Sequence, residues 1–92
     1  MKTFNFLAFD VGATSGRGML ATVSGDSFEM KEIYRFPNAI MNIHGKYYWD
    51  IFAIYDHLKK ALAAVRDMGV SLDSIGIDTW GCDFGYIGSD GT

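Results

Sequence analysis

The sequence predicts an α/β domain: an antiparallel β-meander, one amphipathic helix, and a strand that returns parallel to the first. Three observations predict it. Apolar runs of strand character occupy residues 4–9, 19–23 and 28–36, separated by glycine-containing loops. Ile51, Ile54, Tyr55, Leu58, Ala61, Leu62, Val65 and Met68 keep the three-and-four spacing of a helix with one buried face. Beyond that helix, Ser74-Ile75-Gly76-Ile77-Asp78 is a further short run, and a β-α-β connection within one sheet is right-handed and parallel.

Taken in order, Phe4 to Phe9 starts as an alternating pattern and becomes wholly apolar, as a strand at the centre of a sheet would, and Asp10 ends it. The loop Gly12 to Gly18 leads to Met19–Val23, and Ser24-Gly25-Asp26-Ser27 is a turn into Phe28–Phe36. Pro37-Asn38 closes that strand. Ala39–Ile43 and Tyr47-Tyr48-Trp49 then flank His44-Gly45-Lys46 as an aromatic hairpin expected to pack on the sheet or its edge. Asp50 is placed to cap the helix and Gly69 to stop it. Ser74–Asp78 is read as a buried strand ending on a carboxylate, so Asp10 and Asp78 are expected to share one sheet edge. In open α/β sheets ligands gather beyond the carboxyl ends of such strands.

Ninety-two residues, 49% of them hydrophobic, suffice for one small core and at most one domain. A chain of this size buries only about 60 to 65% of its unfolded surface, so marginal stability is expected. A net charge of −3 without a Lys/Arg cluster excludes the basic footprint of a nucleic-acid binder and favours small-molecule partners. No run approaches a membrane span, and Asn5 and Asp10 interrupt the N-terminal apolar run too early for a secretory signal. The lone Cys82 fits a reducing compartment, and a cytoplasmic protein with no membrane partner is expected. Ile87–Thr92 reads as a turn that leads into further chain.

The most informative stretch is Asp10-Val11-Gly12-Ala13-Thr14-Ser15-Gly16-Arg17. Glycines expose backbone N–H groups, hydroxyls add short donors, and a carboxylate at a strand end can hold Mg²⁺ through water. There is no Gly-Lys-Ser/Thr ending and no helix begins here, so the Walker pattern fails; the glycine spacing and the following strand exclude a dinucleotide fingerprint. What remains is a phosphate loop between antiparallel strands. The alternative is that Gly12 and Gly16 only permit a hairpin turn with positive φ.

The Asp10–Arg17 segment resembles the first phosphate motif of the FGGY carbohydrate kinases, members of the actin-like ATPase superfamily with its RNase H-like fold. Arg35-Phe36-Pro37-Asn38, Trp49-Asp50 and Ile75-Gly76-Ile77-Asp78-Thr79-Trp80-Gly81-Cys82-Asp83-Phe84 extend the resemblance across nearly the whole chain, and they are most similar to the branch acting on L-rhamnulose. The resemblance implies ATP-dependent, Mg²⁺-assisted phosphorylation of the ketose's primary hydroxyl to L-rhamnulose 1-phosphate. It places Gly12, Ala13, Thr14, Ser15, Gly16 and Arg17 against the ATP phosphates and Asp10 near the metal and its waters. It also places Gly81 on the sugar through its backbone, with Trp80 and Asp83 lining the pocket. The family's catalytic aspartate lies farther along the chain, so residues 1–92 are expected to be an incomplete N-terminal part with negligible activity of its own and no catalytic base.

Other readings stay open. Another FGGY pentulose, hexulose or glycerol kinase would share the loop. A nuclease with two metals on Asp10 and Asp78 would share the element order, and so would a non-catalytic actin-like ATP-binding module. Asp78 could cap the turn that follows it, and Trp80 could be core. Cys82 is read as a small buried hydrophobe, His44 and His57 as solvated, and Tyr47-Tyr48-Trp49 as edge packing rather than a sugar platform. The apolar runs 4–9 and 75–77 suggest self-association through an exposed sheet edge.

Overall fold

The computed structural model describes residues 2–81 and 83–91. The chain forms β1 (Thr3–Val11), β2 (Ser15–Ser24), β3 (Ser27–Pro37), β4 (Ile40–Ile43), β5 (Lys46–Trp49), α1 (Ile51–Asp67) and β6 (Ser74–Asp78). Strand order in the main sheet is β3-β2-β1-β6, while β4 and β5 pair only with each other. The meander is antiparallel, and β6 runs parallel to β1 as the crossover through α1 requires. The expected mixed α/β architecture is therefore present. Among the described residues, no helix is long and apolar enough to cross a membrane.

Side chains alternate faces along a strand, and in β1 this puts Leu7, Phe9 and Val11 on the helix side, all three buried. They form the core with Phe36 of β3 and with Ala61 and Val65 of α1. Asp50 caps the helix as expected, its Oδ1 accepting the Ala53 N–H at 3.0 Å. The helix closes at Met68, and Gly69 follows at φ +76°, the left-handed turn a glycine makes without steric cost.

β1 lies inside the sheet, as expected, and is covered on one face only, since Phe4 and Ala8 on the opposite face are exposed. One expectation needs correction. β6 is not buried: it is the sheet's edge strand, α1 does not reach over it, and Ile75 and Ile77 stay 50% and 61% exposed.

The register of β6 is fixed from its start. The Asp73 N–H donates to the Asn5 carbonyl at 2.8 Å, and the Asn5 N–H donates back to Asp73 Oδ2 at 2.8 Å. Asn5 Oδ1 also accepts from the Thr22 hydroxyl. This reciprocal pair at one end determines which residues meet at the other.

Candidate functional site

At that other end, Asp10 and Asp78 are register partners across β1 and β6. The expected pairing of the two carboxylates on one sheet edge is thus present. Asp10 is a strand residue rather than the terminus, because β1 continues to Val11. Arg17 of β2 is the partner of Asp10 on its other side, and their side chains form an ion pair at 3.2 Å, each about half exposed. Among the described residues no hydrogen bond reaches the Asp78 carboxylate. Two carboxylates and one guanidinium therefore meet at the carboxyl end of the parallel pair, where a hard cation with oxygen preference and an anion could both be received.

The loop joining β1 to β2 contracts to Gly12-Ala13-Thr14, with Ser15, Gly16 and Arg17 already in strand. The Gly12 N–H donates to the Ser15 carbonyl at 2.9 Å. Asn38, just past β3, holds the loop twice: its Nδ2 donates to the Gly12 carbonyl at 2.9 Å, and its backbone N–H donates to the Thr14 carbonyl at 3.0 Å. Both carbonyls are thereby turned inward, and Asn38 is the one buried polar residue recorded among the described ones. The N–H groups of Ala13 and Thr14 have no protein acceptor among the described residues, and both residues are exposed.

Neither Gly12 nor Gly16 has positive φ, which corrects the hairpin-turn alternative. Gly16 is needed for another reason, because a Cβ there would collide with the Phe36 ring.

On the helix side of the same sheet end lies a cleft of about 510 Å³. It is lined by Val11, Thr79, Trp80 and Asp83, by Tyr47, Tyr48 and Trp49 of β5, and by Ile54 and Leu58 of α1. The two indoles lie 4.4 Å apart, and both ring N–H groups donate to Asp83 Oδ2, from Trp49 at 3.0 Å and from Trp80 at 2.6 Å. Trp80 is half-buried and packs against the core while facing the cleft. Trp80 and Asp83 thus come together as the motif suggested. Gly81 sits between them in sequence and does not line the cleft.

Among the remaining candidates, His44 is exposed in its turn. His57 is not simply solvated: its ring stacks on Phe36 at 4.6 Å, and its Nδ1 lies 2.8 Å from the Tyr34 hydroxyl. Tyr47, Tyr48 and Trp49 were expected at the sheet edge; instead they line the cleft, because the β4–β5 hairpin forms its own sheet. The expectation for Cys82 lies outside the described residues. No group of three or more metal-ligating side chains occurs among the described residues. The structure thereby brings in Asn38, which sequence reasoning passed over, and moves Trp49 from the expected edge packing to the cleft lining. Both stood in quoted motifs, but the signal for their roles is a buried amide in one case and a shared carboxylate in the other.

No protein-family model matches the chain. It is 48% identical over 87 residues to a protein of Bacteroides thetaiotaomicron (strain VPI-5482), an alignment covering 95% of this chain and 18% of that protein. A protein of Yersinia pestis (strain Pestoides F) is 41% identical over 87 residues, covering 92% of this chain and 18% of its own length. One of Klebsiella pneumoniae (strain 342) is 37% identical over 93 residues, covering 99% and 19%. These relatives are carbohydrate kinases. Each bears the name rhamnulokinase, and the similarity runs over nearly all of this chain, which spans less than a fifth of their length.

Proposed function

We propose that the chain is the N-terminal part of an FGGY-type sugar kinase with an RNase H-like, actin-like ATPase fold, and that the whole protein transfers the ATP γ-phosphoryl group to the primary hydroxyl of L-rhamnulose. The observation that carries this is that three features lie at one end of the sheet: the Asp10–Asp78 register pair, the Asn38-braced loop and the Trp80–Asp83 cleft. In phosphoryl transfer the protein contributes chiefly positioning and electrostatic stabilisation, and these elements are of that kind.

Ala13 and Thr14 offer backbone N–H groups to the phosphate oxygens, with Thr14 and Ser15 adding hydroxyls. Arg17 can leave Asp10 for the phosphates, since an exposed ion pair is worth only about 0 to 1 kcal/mol. Asp10 would then hold Mg²⁺ through water, an arrangement suited to an ion usually bound by one or two carboxylates and the substrate's own phosphates. When bound, Mg²⁺ neutralises charge on the β- and γ-phosphates. Trp80 and Asp83 receive the sugar. The base that accepts the hydroxyl proton comes from outside residues 1–92, and the chain alone has negligible turnover.

The test is a chimeric kinase in which these residues replace the matching stretch of the Bacteroides relative, 48% identical. ADP release should require L-rhamnulose and be far slower with xylulose, ribulose or glycerol. Equal rates with all four sugars would reject the substrate, and an inactive chimera that folds would reject the site.

A further inference from the structure

We propose that Trp49, carried in by the β4–β5 hairpin, is a sugar-positioning residue, and that Asp83 latches it over Trp80 to complete an aromatic platform for a neutral ketose. The inference deepens the kinase reading and rests on it. The hairpin has no strand pairing to the main sheet, so side-chain contacts must set its position. Chief among them is the shared carboxylate: Asp83 Oδ2 accepts both indole N–H groups while the ring centroids lie 4.4 Å apart. Asp83 satisfies both indole N–H groups, and the aromatic surfaces of both tryptophans line the cleft. The C–H faces of a sugar ring or open ketose pack on such surfaces. Asp83 Oδ1 has no partner among the described residues, which leaves an acceptor for a hydroxyl beside that platform. An apolar cavity with a small number of placed polar groups is the usual form of a small-molecule site. A neutral polyol fits this composition better than an anion, because the polar group on offer is a carboxylate.

Trp49 and Trp80 are the chain's two tryptophans, so intrinsic indole fluorescence and the exciton couplet of the close, tilted pair both report on this platform alone. L-Rhamnulose titrated into the 92-residue chain should change both signals saturably, whereas ATP alone should leave the couplet in place. Trp49→Phe should raise the sugar midpoint by roughly tenfold or more, as loss of a central aromatic anchor does, and leave the ATP midpoint unmoved. A saturable response in the wild-type chain with an unchanged midpoint in Trp49→Phe would overturn the role of Trp49 and leave the kinase reading standing. No response of the wild-type chain to any ketose would overturn the platform, while the kinase reading stands or falls with the chimera. If Trp49→Phe fails to fold, Asp83→Asn takes its place. It should weaken the couplet and the sugar response together, and an intact couplet would overturn the latch.

Discussion

Gly16 and Phe36 are register partners across β2 and β3, and the phenyl ring lies over the glycine so closely that an added Cβ would stand 2.6 Å from Cε1 and 2.7 Å from Cε2. Phe36 is 1% exposed and stacks on His57 from its other side, so the ring has nowhere to retreat. The glycine that looks like part of a phosphate loop is therefore also a packing requirement of the core.

Gly16→Ala should accordingly destabilise the chain by about 1 to 3 kcal/mol, the usual cost of overpacking a filled core. Urea denaturation followed by circular dichroism measures it. The double variant Gly16→Ala/Phe36→Leu should lose less than the sum of the two single changes, because the smaller side chain vacates the colliding volume. Strict additivity would refute the steric explanation.

A second prediction concerns acid. The hydrogen bond and then the charge of Lys60, one turn along α1, hold the Asp56 carboxyl below the usual aspartate range, and its oxygen lies 3.0 Å from Nζ. A carboxyl lowered in the folded state contributes stability that is present above its unfolded value and lost as pH falls through the lowered one. The same pair raises Lys60, so that side of the interaction is present below the ordinary lysine range and lost as pH rises through the raised value. Thermal unfolding measured from neutrality downward should show a small loss of stability below about pH 4. Asp56→Asn should flatten part of that limb, and added salt should flatten it in the wild type, since both side chains are exposed to solvent. An acid limb identical in wild type and Asp56→Asn would remove the pair from the account.

Much of this architecture was legible in the sequence, for identifiable reasons. Alternating and helical periodicities are local, so the meander, the Asp50 cap, the Gly69 stop and the parallel return of β6 followed from residues close together in the chain. The meeting of Asp10 with Asp78 needed only the handedness of one crossover. What escaped were properties of partners distant in sequence. The burial of β6 depends on whether α1 extends over it, and no pattern within Ser74–Asp78 records that. His57 looked solvated on its helix because its contacts, Phe36 and Tyr34, come from β3. Trp49 looked like edge packing because its partner Asp83 lies 34 residues away.

The last prediction separates fold from site. Asn38 spends its side-chain amide on the Gly12 carbonyl, 26 residues away, and its backbone N–H on Thr14. Asn38→Ala keeps the backbone bond and deletes the other, leaving a part-buried carbonyl without its donor, at a cost of about 1 to 3 kcal/mol. That loss alone would describe any structural asparagine. If the amide also presents the Ala13 and Thr14 N–H groups to phosphate, the variant should bind Mg·ATP at least roughly tenfold more weakly by calorimetry, equivalent to about 1.4 kcal/mol, at a temperature where it is still folded. Its response to L-rhamnulose should be unchanged, because Trp80 and Asp83 make no recorded contact with Asn38. A destabilised variant with wild-type ATP affinity would assign Asn38 to the fold and leave the loop's geometry independent of it.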